Sequence, residues 1–159
     1  MSQMRILFVC TGNTCRSALA DALARKVVVE RGLPEMEVQS AGTSAWDGAP
    51  ASDGALLVGL ERALDLSQHR AQTLTRELVR DADLVLAMGP HHLERIEALG
   101  GGGKAYLLTE FASHGASARP VNDPIGGELD VYRLTADELE QEVRRVFDRI
   151  SAERSSGTP

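Results

Sequence analysis

The chain has 159 residues, 43% hydrophobic and 25% charged, which fits one water-soluble globular domain with a core of its own. Its 17 Lys and Arg against 23 Asp and Glu leave a formal charge of −6, which argues against broad binding to nucleic acid or to an anionic membrane. Any anion handled here must be held by a local positive site, and two cysteines are too few for a secreted disulfide framework, which points to a reducing cytoplasm.

Met1-Ser2-Gln3-Met4-Arg5 leads straight into an apolar strand too short for a signal-peptide core or a membrane span. Four apolar runs read as buried parallel strands, at residues 5–10, 36–41, 82–88 and 104–108. Helical segments alternate with them. The first spans residues 17–31, with Leu19, Leu23 and Val27 recurring every four residues, and a second spans 52–60, weakened by Gly54 and Gly59. Short helices follow at 75–81 and 90–99, the latter opening on Pro90 and stopping at Gly100, where Gly100-Gly101-Gly102-Gly103 reads as a flexible turn. The last helix is expected to begin at a capping box, Thr135-Ala136-Asp137-Glu138, with Leu139, Val143, Val146, Phe147 and Ile150 on one face. Ser155-Ser156-Gly157-Thr158-Pro159 reads as a disordered tail. Strands alternating with helices imply a small open α/β sandwich with right-handed crossovers, whose ligands bind beyond the carboxyl ends of the strands.

The first strand ends at Cys10, and Cys10-Thr11-Gly12-Asn13-Thr14-Cys15-Arg16-Ser17 then closes directly onto a helix. Such a loop gathers backbone N–H groups into a cradle for a dianion. Gly12 is read as the residue allowing positive φ or close backbone approach, and Asn13 is the next best residue for a left-handed position. Amides, helix dipole and a nearby cation stabilise a thiolate at Cys10, Arg16 can grip two phosphoryl oxygens, and Ser17 can donate to the sulfur. The bland alternative is a buried cysteine at a strand end and a surface arginine. No Walker-type loop competes, because Gly103-Lys104 is followed by Ala105, and no G-x-G-x-x-G follows a strand. A proton for the leaving group points to Asp123 in Val121-Asn122-Asp123-Pro124-Ile125-Gly126-Gly127, a segment that on its own reads as a plain turn.

These residues together resemble the low-molecular-weight protein tyrosine phosphatase family along nearly the whole chain. The matching pieces are Phe8-Val9 and the loop through Ser17, Ser40-Ala41-Gly42, Asp65-Leu66-Ser67, His69, the strand at 83–88, and Asp123-Pro124. The resemblance implies a four-stranded parallel sheet with helices on both faces, a Rossmann-like three-layer sandwich of the phosphotyrosine protein phosphatase I type, over a single domain at 1–154. It implies no metal or cofactor and a two-step displacement through phosphocysteine. Its roles fall on Cys10 as nucleophile, Arg16 and the loop Thr11, Gly12, Asn13, Thr14, Cys15 and Ser17 as phosphate binders, and Asp123 as acid then base. Asn13, Ser17, Ser40 and His69 fall where the family places groups that hold the loop, although His69 also fits a solvent-facing residue. Phosphorylated proteins are then the partners and inorganic phosphate the product, with no nucleic acid and no membrane involved.

Two departures bear on the substrate. Tyrosine-directed members usually carry Ile or Leu at Thr14 and aromatic residues after the Asp-Pro, whereas this chain has Ile125-Gly126-Gly127 there. That segment, with Asp130, Tyr132, Thr135 and Glu138-Leu139-Glu140, most resembles the bacterial protein-arginine phosphatases, in which Thr in the loop is the discriminating residue. A shorter polar side chain leaves room for a planar guanidinium. Phosphoarginine is therefore favoured over phosphotyrosine. Trp46, the single Trp, is either a further pocket wall or core. Cys10 and Cys15 lie close enough in sequence to bridge on oxidation, or Cys15 is a packing residue. Thiol-dependent arsenate reductases share this fold and loop but relay a disulfide through cysteines near the third strand, and residues 80–88 contain none. A catalytically dead phosphopeptide-binding module is disfavoured because Cys10, Arg16 and Asp123 are all intact.

Overall fold

The computed structural model describes residues 3–156. Four strands, β1 (Met4–Cys10), β2 (Met36–Gly42), β3 (Leu84–Ala87) and β4 (Ala105–Leu107), form one sheet in the order β2-β1-β3-β4, every neighbouring pair parallel. The chain steps outward from β1 to β2, then crosses back to lay β3 on the other side of β1. Strand order thus reverses beside β1, and the crevice at its carboxyl end is where this topology binds ligands.

Alternation along β1 explains the two covering layers. Ile6 and Phe8 point into one core with α1 (Arg16–Arg31), α2 (Asp53–Glu61), α5 (Leu108–Ala112) and α6 (Leu129–Ser156). Leu7 and Val9 point into the other, under α3 (Arg76–Asp81) and α4 (Pro90–Ala98). All four β1 side chains are fully buried, each stabilising the fold by about 1.5–3 kcal/mol relative to exposure. Both sheet faces are covered, which is why the strands read as continuous apolar runs.

Helix starts follow local chemistry. Ser52 and Thr75 accept from the N–H groups of Ala55 and Leu78 at the heads of α2 and α3. The glycine in α2 that weakens the helical pattern has a packing reason: a Cβ at Gly54 would come within 2.6 Å of the Tyr132 ring on α6.

Three expectations are corrected. Helix α6 begins at Leu129, so Thr135 lies inside it, its hydroxyl donating to the Val131 carbonyl at 3.0 Å instead of capping a helix start. The same helix runs through Ser155 and Ser156, two residues into the expected tail, while Gly157-Thr158-Pro159 lie outside the described residues. Leu108 ends no strand but opens the short helix α5. Trp46 is 82% exposed, which excludes the core alternative.

Candidate active site

Strand β1 delivers Cys10 to the switch point, and the next five residues turn back to start α1 at Arg16. The turn is made at Asn13, whose φ of 57° is left-handed, a conformation Asn tolerates better than other non-glycine residues. Gly12 is not left-handed, contrary to expectation, and a Cβ there would meet only Thr14 Oγ1 at an ordinary 3.6 Å. The close backbone approach occurs instead at Gly42, at the end of β2, where a Cβ would lie 2.4 Å from the Thr11 carbonyl oxygen. The following residues clamp the loop from that side, Thr43 N–H donating to Cys10 O and Ser44 N–H to Thr11 O, both at 2.9 Å.

The sulfur sits at the base of this loop. Asn13 N–H donates to Cys10 Sγ at 3.3 Å, and Ser17 Oγ lies 2.9 Å from the same sulfur. Asn13 Nδ2 donates to Ser17 Oγ at 2.8 Å, which leaves the Ser17 hydrogen free to point at the sulfur. Cys15 precedes α1 without a side-chain cap, so the first N–H groups of the helix are left for a ligand. Arg16 is buried, its Nη1 donating to the Val121 carbonyl at 3.0 Å, and its Nε has no partner among the described residues. The Val121 bond holds the guanidinium across the loop mouth and leaves Nε for an anion.

Asp123 stands at that mouth, its side chain 48% exposed, with Oδ2 3.5 Å from Arg16 Nη2. Its Oδ1 accepts from Ile125 N–H at 3.1 Å and faces the Cys15 thiol at 3.8 Å. Burial first, then the negative charges of Cys10 and Asp123, push the Cys15 thiol up to about 12, so Cys15 stays protonated at neutral pH. The arrangement thus sets one sulfur among hydrogen-bond donors at the base of the loop and keeps the other as a protonated thiol. Thr14 closes the loop. Its carbonyl accepts from Ser52 N–H at 2.9 Å, its side chain is half-buried, and its hydroxyl has no partner among the described residues.

The expected supporting groups divide. His69 touches the loop directly, its Nε2 2.6 Å from the Asn13 carbonyl oxygen. Ser40 does not: its hydroxyl donates to Asp21 of α1 at 2.8 Å, and its carbonyl accepts from Gln72 Nε2 at 2.9 Å. Gln72 is the missing link, because its N–H donates to Asn13 Oδ1 at 3.0 Å. His92 was equally hidden; it is fully buried at the head of α4, with Nε2 2.8 Å from Thr11 Oγ1. The signal for His92 was its place just after the third strand, beside β1 at the switch point. Gln72 sits in a short irregular stretch with no pattern to mark it. Among the described residues no cluster of three or more His, Cys, Asp or Glu side chains is placed to hold a metal ion, and no helix is long and apolar enough to cross a membrane.

Against known proteins, residues 5–156 match the family model described as low molecular weight phosphotyrosine protein phosphatase. A protein-arginine-phosphatase of Bacillus subtilis is 39% identical over 155 residues, covering 95% of this chain and 99% of the relative. A low molecular weight protein-tyrosine-phosphatase, PtpB of Staphylococcus haemolyticus, is 35% identical over 137 residues, covering 86% and 92%. Among solved structures, the YwlE arginine phosphatase carrying a phosphorylated active-site serine in place of cysteine superposes with a TM-score of 0.87 at 38% identity, covering 96% of this chain and 99% of that one. Fold, loop and full-length similarity agree, and the chain belongs to the low molecular weight phosphotyrosine protein phosphatase family.

Proposed function

We propose that this chain is a protein phosphatase that works through a cysteinyl-phosphate intermediate, with phosphoarginine as the favoured side chain. The observation that carries the reading is the setting of Cys10 Sγ. It takes the Asn13 N–H and faces the Ser17 hydroxyl, inside a loop that opens on an uncapped helix start and a buried arginine. In the first step the Cys10 thiolate attacks phosphorus, the S–P bond forms and the bond to the leaving nitrogen or oxygen breaks. Asp123 supplies the proton to that leaving atom. In the second step Asp123 takes a proton from water as the water oxygen attacks phosphorus. Inorganic phosphate leaves, and Ser17 stabilises the departing thiolate. Arg16 and the loop amides of Thr11 to Ser17 hold the three phosphoryl oxygens throughout. A YwlE arginine phosphatase whose cysteine-to-serine mutant carries a phosphorylated active-site serine supports a covalent step in this fold.

Phosphoarginine is favoured by the Thr14 hydroxyl, half-buried and unpartnered among the described residues, which can accept from a guanidinium N–H where a branched hydrocarbon cannot. Exposed Ile125, after the Asp-Pro, offers no ring to stack on a phenyl group. The relative named protein-arginine-phosphatase, 39% identical over nearly the full length of both chains, supports the same choice. Trp46 supports the second reading, phosphotyrosine: it is exposed on the segment whose Thr43 and Ser44 clamp the loop, where an aromatic substrate could meet it. We take residues 1–154 as the single catalytic domain, acting in the cytoplasm on phosphorylated proteins. The test is kcat/KM on matched phosphoarginine and phosphotyrosine peptides. A preference for phosphoarginine supports the reading, and a preference for phosphotyrosine replaces it with the second.

A further inference from the structure

Among the described residues two buried side-chain nitrogens lack a hydrogen-bond partner, Arg16 Nε and His92 Nδ1. The first faces the site already described; the second lies behind it. His92 is fully buried at the head of α4, with Nε2 2.8 Å from Thr11 Oγ1, the side chain next to the nucleophile. The Thr11 carbonyl is fixed by Ser44 N–H, and Thr11 itself is half-buried, one side open.

A neutral imidazole carries one N–H and one lone pair. Burial above all, then His91 and Arg16, holds His92 down at about 4 against a weaker opposing pull from Asp123, so the ring is neutral near pH 7. The placement of its single hydrogen follows from the orphan nitrogen. Were Nδ1 protonated, a buried N–H would have no acceptor, and orphaned buried donors are rarer than under-satisfied acceptors. With the hydrogen on Nε2, the orphan is only a lone pair and Nε2–H points at Thr11. The Thr11 oxygen then accepts, and its own hydrogen has no other acceptor among the described residues.

We infer that His92 is a positioning residue: its Nε2–H donates to Thr11 Oγ1 and so turns the Thr11 hydroxyl hydrogen toward the open side of the loop, adding a side-chain donor to the amides that hold the phosphoryl group. The inference rests on the phosphatase reading for what it holds, but not for the hydrogen bond itself. A hydroxyl free to spin spends part of its time with a lone pair toward a dianion, which repels it. The ring removes that option.

Two measurements test it. The nitrogen chemical shifts of His92 in the free protein report its tautomer without reference to activity. An Nε2–H tautomer at pH 7 is expected, and an Nδ1–H tautomer or an imidazolium overturns the inference. Orthovanadate affinity then reads the consequence. Thr11→Val is expected to weaken it roughly 10–100-fold, the value of a hydrogen bond to a charged group. His92→Leu should weaken it severalfold, His92→Gln, which keeps a donor at about the same reach, should restore most of it, and adding His92→Leu to Thr11→Val should change nothing further. A His92→Leu effect equally large without the Thr11 hydroxyl would show that the ring acts by packing alone and overturn the inference. Should His92→Leu fail to fold, Thr11→Val, His92→Gln and the tautomer still decide. A native protein that neither binds vanadate nor hydrolyses an aryl phosphate would sink the phosphatase reading, with the tautomer still judging the hydrogen bond.

Discussion

Asn13→Ala removes the residue on which the loop converges. Asn13 Nδ2 donates to Ser17 Oγ at 2.8 Å and Oδ1 accepts from Gln72 N–H at 3.0 Å, while its main chain contacts Cys10 Sγ and His69. Losing the side chain leaves the Gln72 N–H unpaired, about 1–3 kcal/mol, and removes a further bond worth roughly 0.5–1.5 kcal/mol. The left-handed φ of 57° adds about 1 kcal/mol for Ala over Asn. Allowing for partial relaxation, the loss is about 3 kcal/mol, which lowers Tm by roughly 6–12 °C in a chain of this size yet leaves it folded. Turnover should fall further than stability does. Ser17 is no longer aimed at the sulfur and the Asn13 N–H drifts, and a small misplacement of this kind costs on the order of 100-fold in rate. Asn13→Gly separates the causes: it tolerates the left-handed turn, so it should recover about 1 kcal/mol over Ala while staying nearly as inactive. Urea denaturation and steady-state hydrolysis of an aryl phosphate measure both. An Ala variant within 0.5 kcal/mol and twofold of the native protein would refute this account of the loop.

Thr14→Ile should depress phosphoarginine hydrolysis roughly ten- to a hundredfold while sparing or improving phosphotyrosine hydrolysis, because only the guanidinium leaves a buried donor unmet; equal slowing of both in kcat/KM assays counts against the arginine assignment. Peroxide should oxidise Cys10, and thiol-reversible closure of a Cys10–Cys15 disulfide should be faster at pH 8.5 than at pH 6.5, because Cys15, pushed up to about 12, must lose its proton to attack; mass spectrometry finding no disulfide at either pH leaves Cys15 as packing. His92 is neutral in the folded protein down to about pH 4 but protonates near 6.5 when unfolded, so its contribution is complete above pH 6.5 and is lost as pH falls toward 4. Denaturation at pH 7.5 and 5 should therefore show a drop about 2 kcal/mol larger for the native protein than for His92→Leu, and equal drops would contradict the buried neutral ring.

What the sequence made legible was whatever rests on neighbours along the chain. The loop from Cys10 to Ser17 is one continuous segment between a strand and a helix, so Cys10, Arg16 and the sulfur-facing Ser17 could all be set at one loop from the sequence. Strand ends moved by only one or two residues, because two-sided burial leaves a strong apolar signal in β1 and β3. The start of α6 misled because Thr135-Ala136-Asp137-Glu138 has capping chemistry, and only the packing of Tyr132 over Gly54 tells that the helix has already begun. Gly12 drew the attention that Gly42 merited, since the atom crowding Gly42 is the Thr11 carbonyl on another strand's loop. Gln72 had no pattern to mark it and His92 only its place just after the third strand: their partners Asn13 and Thr11 lie 59 and 81 positions away, brought near by the fold.

Rapid acid quenching of the enzyme during turnover of an aryl phosphate, followed by peptide mass spectrometry, would trap the proposed covalent intermediate at Cys10. One phosphoryl group is expected on the peptide that carries Cys10, absent when Cys10 is changed to Ala and present on no other cysteine. A protein that turns over substrate with Cys10 never phosphorylated, or that keeps near-native rates as Cys10→Ala, would contradict it.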